Sequence, residues 1–187
     1  MTFTCALPAR GTTAALTLAD SAPLQAARLI PVAAGQDGVE LPVTALTADG
    51  VLDALAKVGA KGAAGELHRV VVDGTLFIAY GLGPADEVDE ESVRRGVGTA
   101  ARSLSGIEEV AVSTEFGMGP IVEGLLLGSY SYQGLKSAEE DAPAPVAVTV
   151  VAGDEERAAF DRARIIAESV NLARDLVNTP ANYLYPE

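Results

Sequence analysis

The side chains that most often bind metals or act as nucleophiles are scarce in this sequence. It contains one histidine, His68, and one cysteine, Cys5, far apart in the chain. A metal site needs several His, Cys or carboxylate ligands at workable spacing, and nucleophilic catalysis needs a nucleophile paired with a base. We therefore predict that His68 is an edge or surface residue of a strand and that Cys5 is a small apolar strand residue.

Carboxylates are plentiful but occur in runs, at 86–91, 139–141 and 154–156. Two of these runs precede predicted helices, where the positive end of the helix dipole stabilises negative charge. An acid–base pair would instead need two carboxylates held apart in a cleft. The pattern favours solvated helix starts and loops over catalysis.

The segment Gly81-Leu82-Gly83 has the setting of a phosphate-binding loop, between a predicted strand and a predicted helix. The full G-x-G-x-x-G pattern fails because position 86 is Asp86. The acidic residues nearby would also repel a phosphate. We predict a tight turn from strand to helix at this segment.

The composition indicates a globular protein with an acidic surface. Of its 187 residues, 49% are hydrophobic and 21% are charged, and the formal net charge is −13. A surface of this sign repels phosphate backbones, so a nucleic-acid partner is disfavoured. The first ten residues lack the positive start and apolar run of a signal peptide, and no stretch reaches the roughly 18–20 apolar residues of a membrane span. We expect a cytoplasmic protein that does not contact a membrane.

Hydrophobic periodicity and turn signals predict alternating strands and helices. Strands are predicted at 2–7, 14–18, 28–33, 67–72, 76–80, 107–113 and 146–151. Helices are predicted after an N-cap at Asp49, from the acidic run to Leu104, over 118–133, and from Asp154 to just before Pro180. The Asp73-Gly74 pair predicts a hairpin. The fold class is therefore α/β, with a mixed, mostly parallel sheet flanked by helices and followed by a long helix.

Two of the predicted helices carry informative patterns. Gly124 and Gly128 lie four residues apart and share a face, which would let that helix approach a neighbour closely. The last helix has an apolar stripe at intervals of three and four residues, consisting of Ala159, Ala163, Ile166, Val170, Ala173 and Val177.

The end of the chain resembles the segment that joins the two domains of the leucyl (cytosol) aminopeptidase family. The family pattern Arg-Asp-Leu-Val-Asn-Thr-Pro-Ala/Ser-Asn, followed by a proline, is matched by residues 174–182 and Pro186. The stretch from Glu123 to Tyr130, followed by Lys136-Ser137, resembles the last helix of the family's amino-terminal domain. The interdomain motif therefore comprises Arg174, Asp175, Asn178, Thr179, Pro180 and Asn182.

The resemblance implies a domain organisation and an activity. Residues 1–152 would form an amino-terminal domain similar to macro domains, and 153–187 the linker helix and the start of a catalytic domain that this chain lacks. The full-length enzyme would be a homohexamer that removes amino-terminal residues, often leucine, from peptides. Two divalent metals, zinc, manganese or magnesium, would be held by Lys, Asp and Glu side chains of the catalytic domain.

The resemblance also implies that the present chain holds no catalytic residue and binds no cofactor. Its lysines, Lys57, Lys61 and Lys136, lie outside any matching motif. Its partner would be its own carboxy-terminal catalytic domain. Near the end of the linker helix, Asn178 and Asn182 can bond to backbone groups and Pro180 stiffens the exit of the chain.

Two other functions remain open from the sequence. A macro-like domain could bind a nucleotide or ADP-ribose, which a thermal shift with ADP-ribose would reveal. An accessory role in DNA binding is a second alternative, and the net charge of −13 argues against it.

Overall fold

The computed structural model describes residues 7, 9–36, 38–42, 44, 46–132, 134 and 145–184. The predicted strand at 2–7, apart from Leu7, lies outside these residues, and so do Cys5, Lys136 and Pro186. Leu7 is not part of a strand.

A seven-stranded sheet runs through the middle of the protein, with the order β1-β7-β6-β2-β5-β4 and with β3 beside β2. The strands β1, β7, β6, β2 and β5 are parallel to their neighbours in this order, whereas β3 and β4 pair antiparallel. The predicted mixed, mostly parallel sheet is therefore confirmed. The strands are β1 (Ala15–Ala19), β2 (Ala27–Gly35), β3 (Gly38–Glu40), β4 (Leu67–Val72), β5 (Thr75–Pro84), β6 (Glu109–Ser113) and β7 (Ala147–Val151).

The predicted hairpin joins β4 to β5. Asp73 and Gly74 both have positive φ, 49° and 78°, as a tight two-residue hairpin turn requires. The hairpin places β4 at one edge of the sheet, and His68 lies on this edge strand as predicted.

Helices cover both faces of the sheet. One apolar core lies between the sheet and three helices, α2 (Glu90–Arg102), α3 (Met118–Gly128) and α4 (Arg157–Asn178), and a second lies on the side of α1 (Val51–Lys57). Buried aliphatic side chains such as Leu29 and Ile30 alternate between the two cores along β2. This alternation follows from the two-residue period of a strand.

Helices α2 and α3 approach each other at glycines. A Cβ atom at Gly124 would lie 2.8 Å from the carbonyl oxygen of Arg94, and one at Gly128 would overlap the backbone of Gly98. The Arg94 Nε also donates to Glu123 Oε2 across this contact, at 2.7 Å. Gly124 and Gly128 thus lie at the closest part of the helix pair, where a side chain has no space.

The acidic run before α2 forms a capping box. The backbone N–H of Ser92 donates to Asp89 Oδ1 at 2.7 Å, and the Asp89 N–H donates to the Ser92 hydroxyl at 2.9 Å. The bond from the Ser92 backbone holds the pKa of Asp89 below its ordinary value. The run therefore begins a helix, in line with its predicted role.

Several predicted boundaries are wrong. The Gly81-Leu82-Gly83 segment is not a turn but part of β5, where Gly81 pairs with Val32 and lies so close to the Ala63 carbonyl that a Cβ atom could not fit. Helix α3 ends at Gly128 rather than at residue 133, because the chain turns back and Ser131 pairs with Thr12.

The starts of two helices also differ from the prediction. Gly50, with φ of 82°, is the N-cap of α1 instead of Asp49, and no side chain caps this helix. A short 3₁₀ turn at Asp154–Glu156 precedes α4, which begins at Arg157.

Of the apolar stripe predicted on the last helix, Ala163 faces the core, but the other members do not, namely Ala159, Ile166, Val170, Ala173 and Val177. The buried apolar side chains of α4 are Phe160, Ala163 and Ala167, whereas Ile166 and Val177 of the predicted stripe are exposed. The predicted apolar spacing is present in the sequence of α4. However, the side of α4 that packs on α3 is a different and more polar one, which includes Asn171 and Arg174.

We expect Gly128→Ala to destabilise the protein by about 1–3 kcal/mol, because the added Cβ must push the backbone of α2 away. Gly119→Ala in the same helix is the matched control, since a Cβ there has nothing within 4 Å. The control should change the free energy of unfolding by less than about 1 kcal/mol. Urea denaturation followed by circular dichroism measures both, and equal effects would contradict the close-packing argument.

Candidate functional site

The polar residues of the carboxy-terminal half of α4 lie against the end of α3. The last carbonyl groups of a helix have no partner within that helix. Asn171 Nδ2 donates to the Leu126 carbonyl at 3.1 Å, and Arg174 Nη1 donates to the Leu127 carbonyl at 2.9 Å. Side chains of α4 therefore cap α3, and the positive charge of Arg174 is favourable at the negative end of its dipole.

Arg174 is held in this position by two further contacts. It donates to Asn171 Oδ1 at 3.2 Å, and its guanidinium lies 5.4 Å from the centre of the Tyr130 ring. A cation over an aromatic face is attracted by the ring's quadrupole. The arginine thus connects α4 to the residues that follow α3 as well as to α3 itself.

Asp175 joins three separate parts of the chain. Its Oδ1 accepts from the Gly11 N–H and from the Tyr130 hydroxyl, each at 2.8 Å, although the residue is only 5% exposed. The Tyr130 hydroxyl in turn accepts from Asn178 Nδ2 at 3.2 Å. Burial, and then the bond to Asp175, raise the pKa of Tyr130. We call Gly11, Tyr130, Asn171, Arg174, Asp175 and Asn178 the α3–α4 junction.

The other residues of the predicted motif end the helix. The Thr179 hydroxyl donates to the Asp175 carbonyl at 2.6 Å and is buried, and Pro180 follows on the surface. Asn182 is exposed in the turn that begins at Pro180, and no hydrogen bond of its side chain is seen among the described residues. Asn178 bonds to a side chain rather than to the backbone. The motif therefore divides into a part that packs inward and a part that ends α4.

Local sequence patterns do not mark Gly11, Tyr130 or Asn171 as members of this junction. Gly11 packs so closely on the Tyr130 ring that a Cβ atom could not fit. Asn171 offered a signal, because it continues the spacing of the buried Ala163 and Ala167 by four residues. The contact of Gly11 with Asp175 spans 164 positions, and no local pattern reveals it.

No metal-binding cluster occurs within the described part of the chain, where no three His, Cys, Asp or Glu residues come together. His68 Nε2 lies 2.7 Å from Glu66 Oε1, and the same carboxylate accepts from the backbone N–H groups of Lys61 and Ala63. This cluster fixes the loop before β4. Over the same described residues, no helix is both long enough and apolar enough to cross a bilayer.

Solved structures with a similar fold include a leucine aminopeptidase and a maturation enzyme. A mutant of tomato leucine aminopeptidase aligns with a TM-score of 0.67 and 19% identity, over 94% of this chain and 41% of that chain. The bottromycin maturation enzyme BotP aligns with a TM-score of 0.62 and 24% identity, over 86% of this chain and 35% of its own. A further structure of BotP contains Mn. At these identities the likeness concerns the fold.

The sequence itself defines the family. Residues 30–139 match the model of the cytosol aminopeptidase family, N-terminal domain. The probable cytosol aminopeptidase of Corynebacterium glutamicum is 44% identical over 97% of this chain, and that of Corynebacterium diphtheriae is 39% identical over 97%. The chain belongs to the cytosol aminopeptidase family and corresponds to its amino-terminal domain, which confirms the resemblance. It spans 39% of the length of each of these two relatives. The likeness to macro domains stays a prediction.

We expect Asp175→Asn to lower the free energy of unfolding by about 1–3 kcal/mol, since the buried bonds to Gly11 and Tyr130 lose their charged acceptor. Asp161→Asn, at a partly exposed ion pair on the same helix, should cost less than about 1 kcal/mol. Combining Asp175→Asn with Tyr130→Phe should show a coupling energy of about 0.5–3 kcal/mol. Additive effects in urea denaturation would refute the junction as a connected unit.

Stability should also depend on pH through Tyr130. The pKa of Tyr130 is raised above its ordinary value of 10.0 in the folded state, which means that folding favours the protonated hydroxyl. The stability that this hydroxyl contributes is therefore fully present below pH 10.0 and is lost as the pH rises through the folded-state pKa. Tyr130→Phe should therefore lose less stability than the original protein as the pH rises above the ordinary tyrosine pKa of 10.0. Tyr80, whose pKa burial also raises, titrates in both proteins and cancels in the comparison. Parallel pH curves for the two proteins would contradict this assignment.

Proposed function

We propose that this chain is the non-catalytic amino-terminal part of a leucyl aminopeptidase, and that it positions and assembles the catalytic part. The full-length enzyme would release amino-terminal residues, often leucine, from peptides. The proposal is carried by the α3–α4 junction, which holds the last helix firmly on the rest of the chain. The chain is a family member that spans only 39% of the length of its relative from Corynebacterium glutamicum. The names of these relatives, cytosol aminopeptidases, support a cytoplasmic location for the full-length protein.

The junction supports the positioning role through its rigidity. Asn171, Arg174 and Asp175 fix α4 to the end of α3 and to the amino-terminal segment over a little more than one helical turn. The buried Thr179 and the following Pro180 then end the helix at a defined point. A segment that leaves this point starts from a fixed position and direction relative to the sheet.

Metal chemistry would belong to the carboxy-terminal part. Two divalent metals, zinc, manganese or magnesium, would polarise a peptide carbonyl and activate a water molecule in this family. The described residues of this chain do not fit such a centre, because they bring no set of three suitable ligands together. We assign the metals, and with them the catalytic residues, to the part of the enzyme beyond this chain.

The proposed domain division places the amino-terminal domain at 1–152 and the linker helix from 153 onward. The core of the first unit also includes Phe160, Ala163 and Ala167 of α4. The linker helix is therefore built into the amino-terminal domain along one face. We further propose that the full-length enzyme is a homohexamer and that neither nucleic acid nor a membrane is its partner, in keeping with the net charge of −13.

The purified 187-residue chain should not hydrolyse a leucine anilide in the presence of zinc, manganese or magnesium. The full-length polypeptide, prepared in the same way, should hydrolyse it in a metal-dependent manner, because it adds the missing ligands. Release of the coloured amine measures both reactions. Metal-dependent turnover by the short chain would refute the non-catalytic assignment, and an inactive full-length polypeptide would refute the proposed enzyme.

A further inference from the structure

A cleft of about 640 Å³ runs along helix α2 and is also lined by residues of α3 and by Arg174 of α4. We call it the α2 cleft. Part of its lining consists of Gly98, Gly124 and Gly128, which have no side chains to fill the space between the helices. A volume of several hundred Å³ is typical of sites that bind small molecules.

Four arginines line the α2 cleft, and they differ in their partners. Arg94 and Arg95 each bond to the Glu91 carboxylate at 2.6 Å. Within the part of the chain that the structure describes, neither Arg102 nor Arg174 forms an ion pair. The protein has 26 acidic residues and 13 basic ones, so carboxylates are abundant. Two arginines of one cleft are nevertheless left without a negative partner.

Both of these arginines keep hydrogen-bond donors that the described residues do not use. A guanidinium carries five N–H groups. Arg102 donates through Nη2 to the Thr99 hydroxyl at 3.2 Å, and Arg174 donates only through Nη1, to the Leu127 carbonyl and to Asn171 Oδ1. The Nε and the other Nη group of each arginine have no acceptor among the described residues. The Thr99 hydroxyl accepts from Arg102, and its own proton is free for another acceptor.

The positions of the two arginines suit a binding site. Arg174 is half-buried and is fixed by the Leu127 carbonyl and the Tyr130 ring, so that little conformational entropy is lost when it binds a ligand. Arg102 lies in the exposed last turn of α2. The negative ends of helices favour both positive charges. That effect leaves the remaining N–H groups without acceptors, so it does not account for the whole arrangement.

We propose that the α2 cleft binds a small molecule through an oxyanion group, a carboxylate or a phosphate, held between Arg102 and Arg174. The planar guanidinium matches both groups, because two of its N–H groups can donate to two oxygens at once. The Thr99 hydroxyl supplies a further donor. This site lies within the present chain and goes beyond the proposed function, on which it does not depend.

The surroundings limit the size of the ligand. Asp89 and Glu91 line the opposite end of the α2 cleft, at the start of the helix. Together with the net charge of −13, these carboxylates repel a long polyanion such as a nucleic acid. A ligand with a single oxyanion group reaches Arg102 and Arg174 without meeting them.

An NMR titration of the isotope-labelled 187-residue chain tests the site, with inorganic phosphate and acetate added separately at constant ionic strength. The backbone amide signals of Thr99, Arg102 and Gly128 should shift until they saturate, with a dissociation constant in the millimolar range. Saturation with phosphate alone would identify a phosphate group as the ligand, and saturation with acetate alone would identify a carboxylate. Saturation with both would support a site for either group.

A matched pair of variants separates this site from general attraction between charges. Arg102→Gln should weaken binding about tenfold, because it removes a charged donor at an exposed position that tolerates the change. Arg164→Gln removes the same charge from an exposed ion pair of α4 outside the cleft and should leave the dissociation constant unchanged. The absence of saturation with either anion would overturn the inference, and so would equal affinities for Arg102→Gln and the original protein. Neither measurement involves peptide hydrolysis, so the proposed function is tested separately.

Discussion

The buried end of helix α3 is the constraint on which this structure depends. Carbonyl groups at the end of a helix need hydrogen bonds, and groups that are buried without them cost free energy. Here Asn171 and Arg174 of α4 supply two of these bonds, and the Ser129 hydroxyl supplies another to the Leu125 carbonyl at 2.7 Å. The position of α4 is thereby coupled to the end of α3, and through α3 to the sheet.

The close approach of α2 and α3 gives this arrangement its rigidity. Gly124 and Gly128 allow backbone to meet backbone, so that α3 cannot shift without moving α2. Because protein interiors are densely packed, displacement of one helix is transmitted to its neighbours. The sheet, α2, α3 and α4 therefore form one continuous support for whatever follows Thr179.

Helix α4 carries both polar and apolar residues in regular spacing, and the buried ones lie on a single side of it. Its inner face changes along its length, from apolar Phe160, Ala163 and Ala167 to polar Asn171 and Asp175. On its solvent side, α4 carries exposed aliphatic residues as far as the last turn, including Ile165 and Val177.

Local sequence patterns determined the fold class, the Asp73-Gly74 hairpin and the family, because period, turn chemistry and a continuous motif are all local properties of the chain. They did not determine the strand that continues through Gly81, the end of α3 or the rotation of α4. The rotation depended on the hydrogen bonds of Asn171, Arg174 and Asp175 to distant residues, including Gly11 at a separation of 164 positions. Only the tertiary structure decides such matters, because the satisfaction of buried polar groups outweighs the apolar period of a single helix.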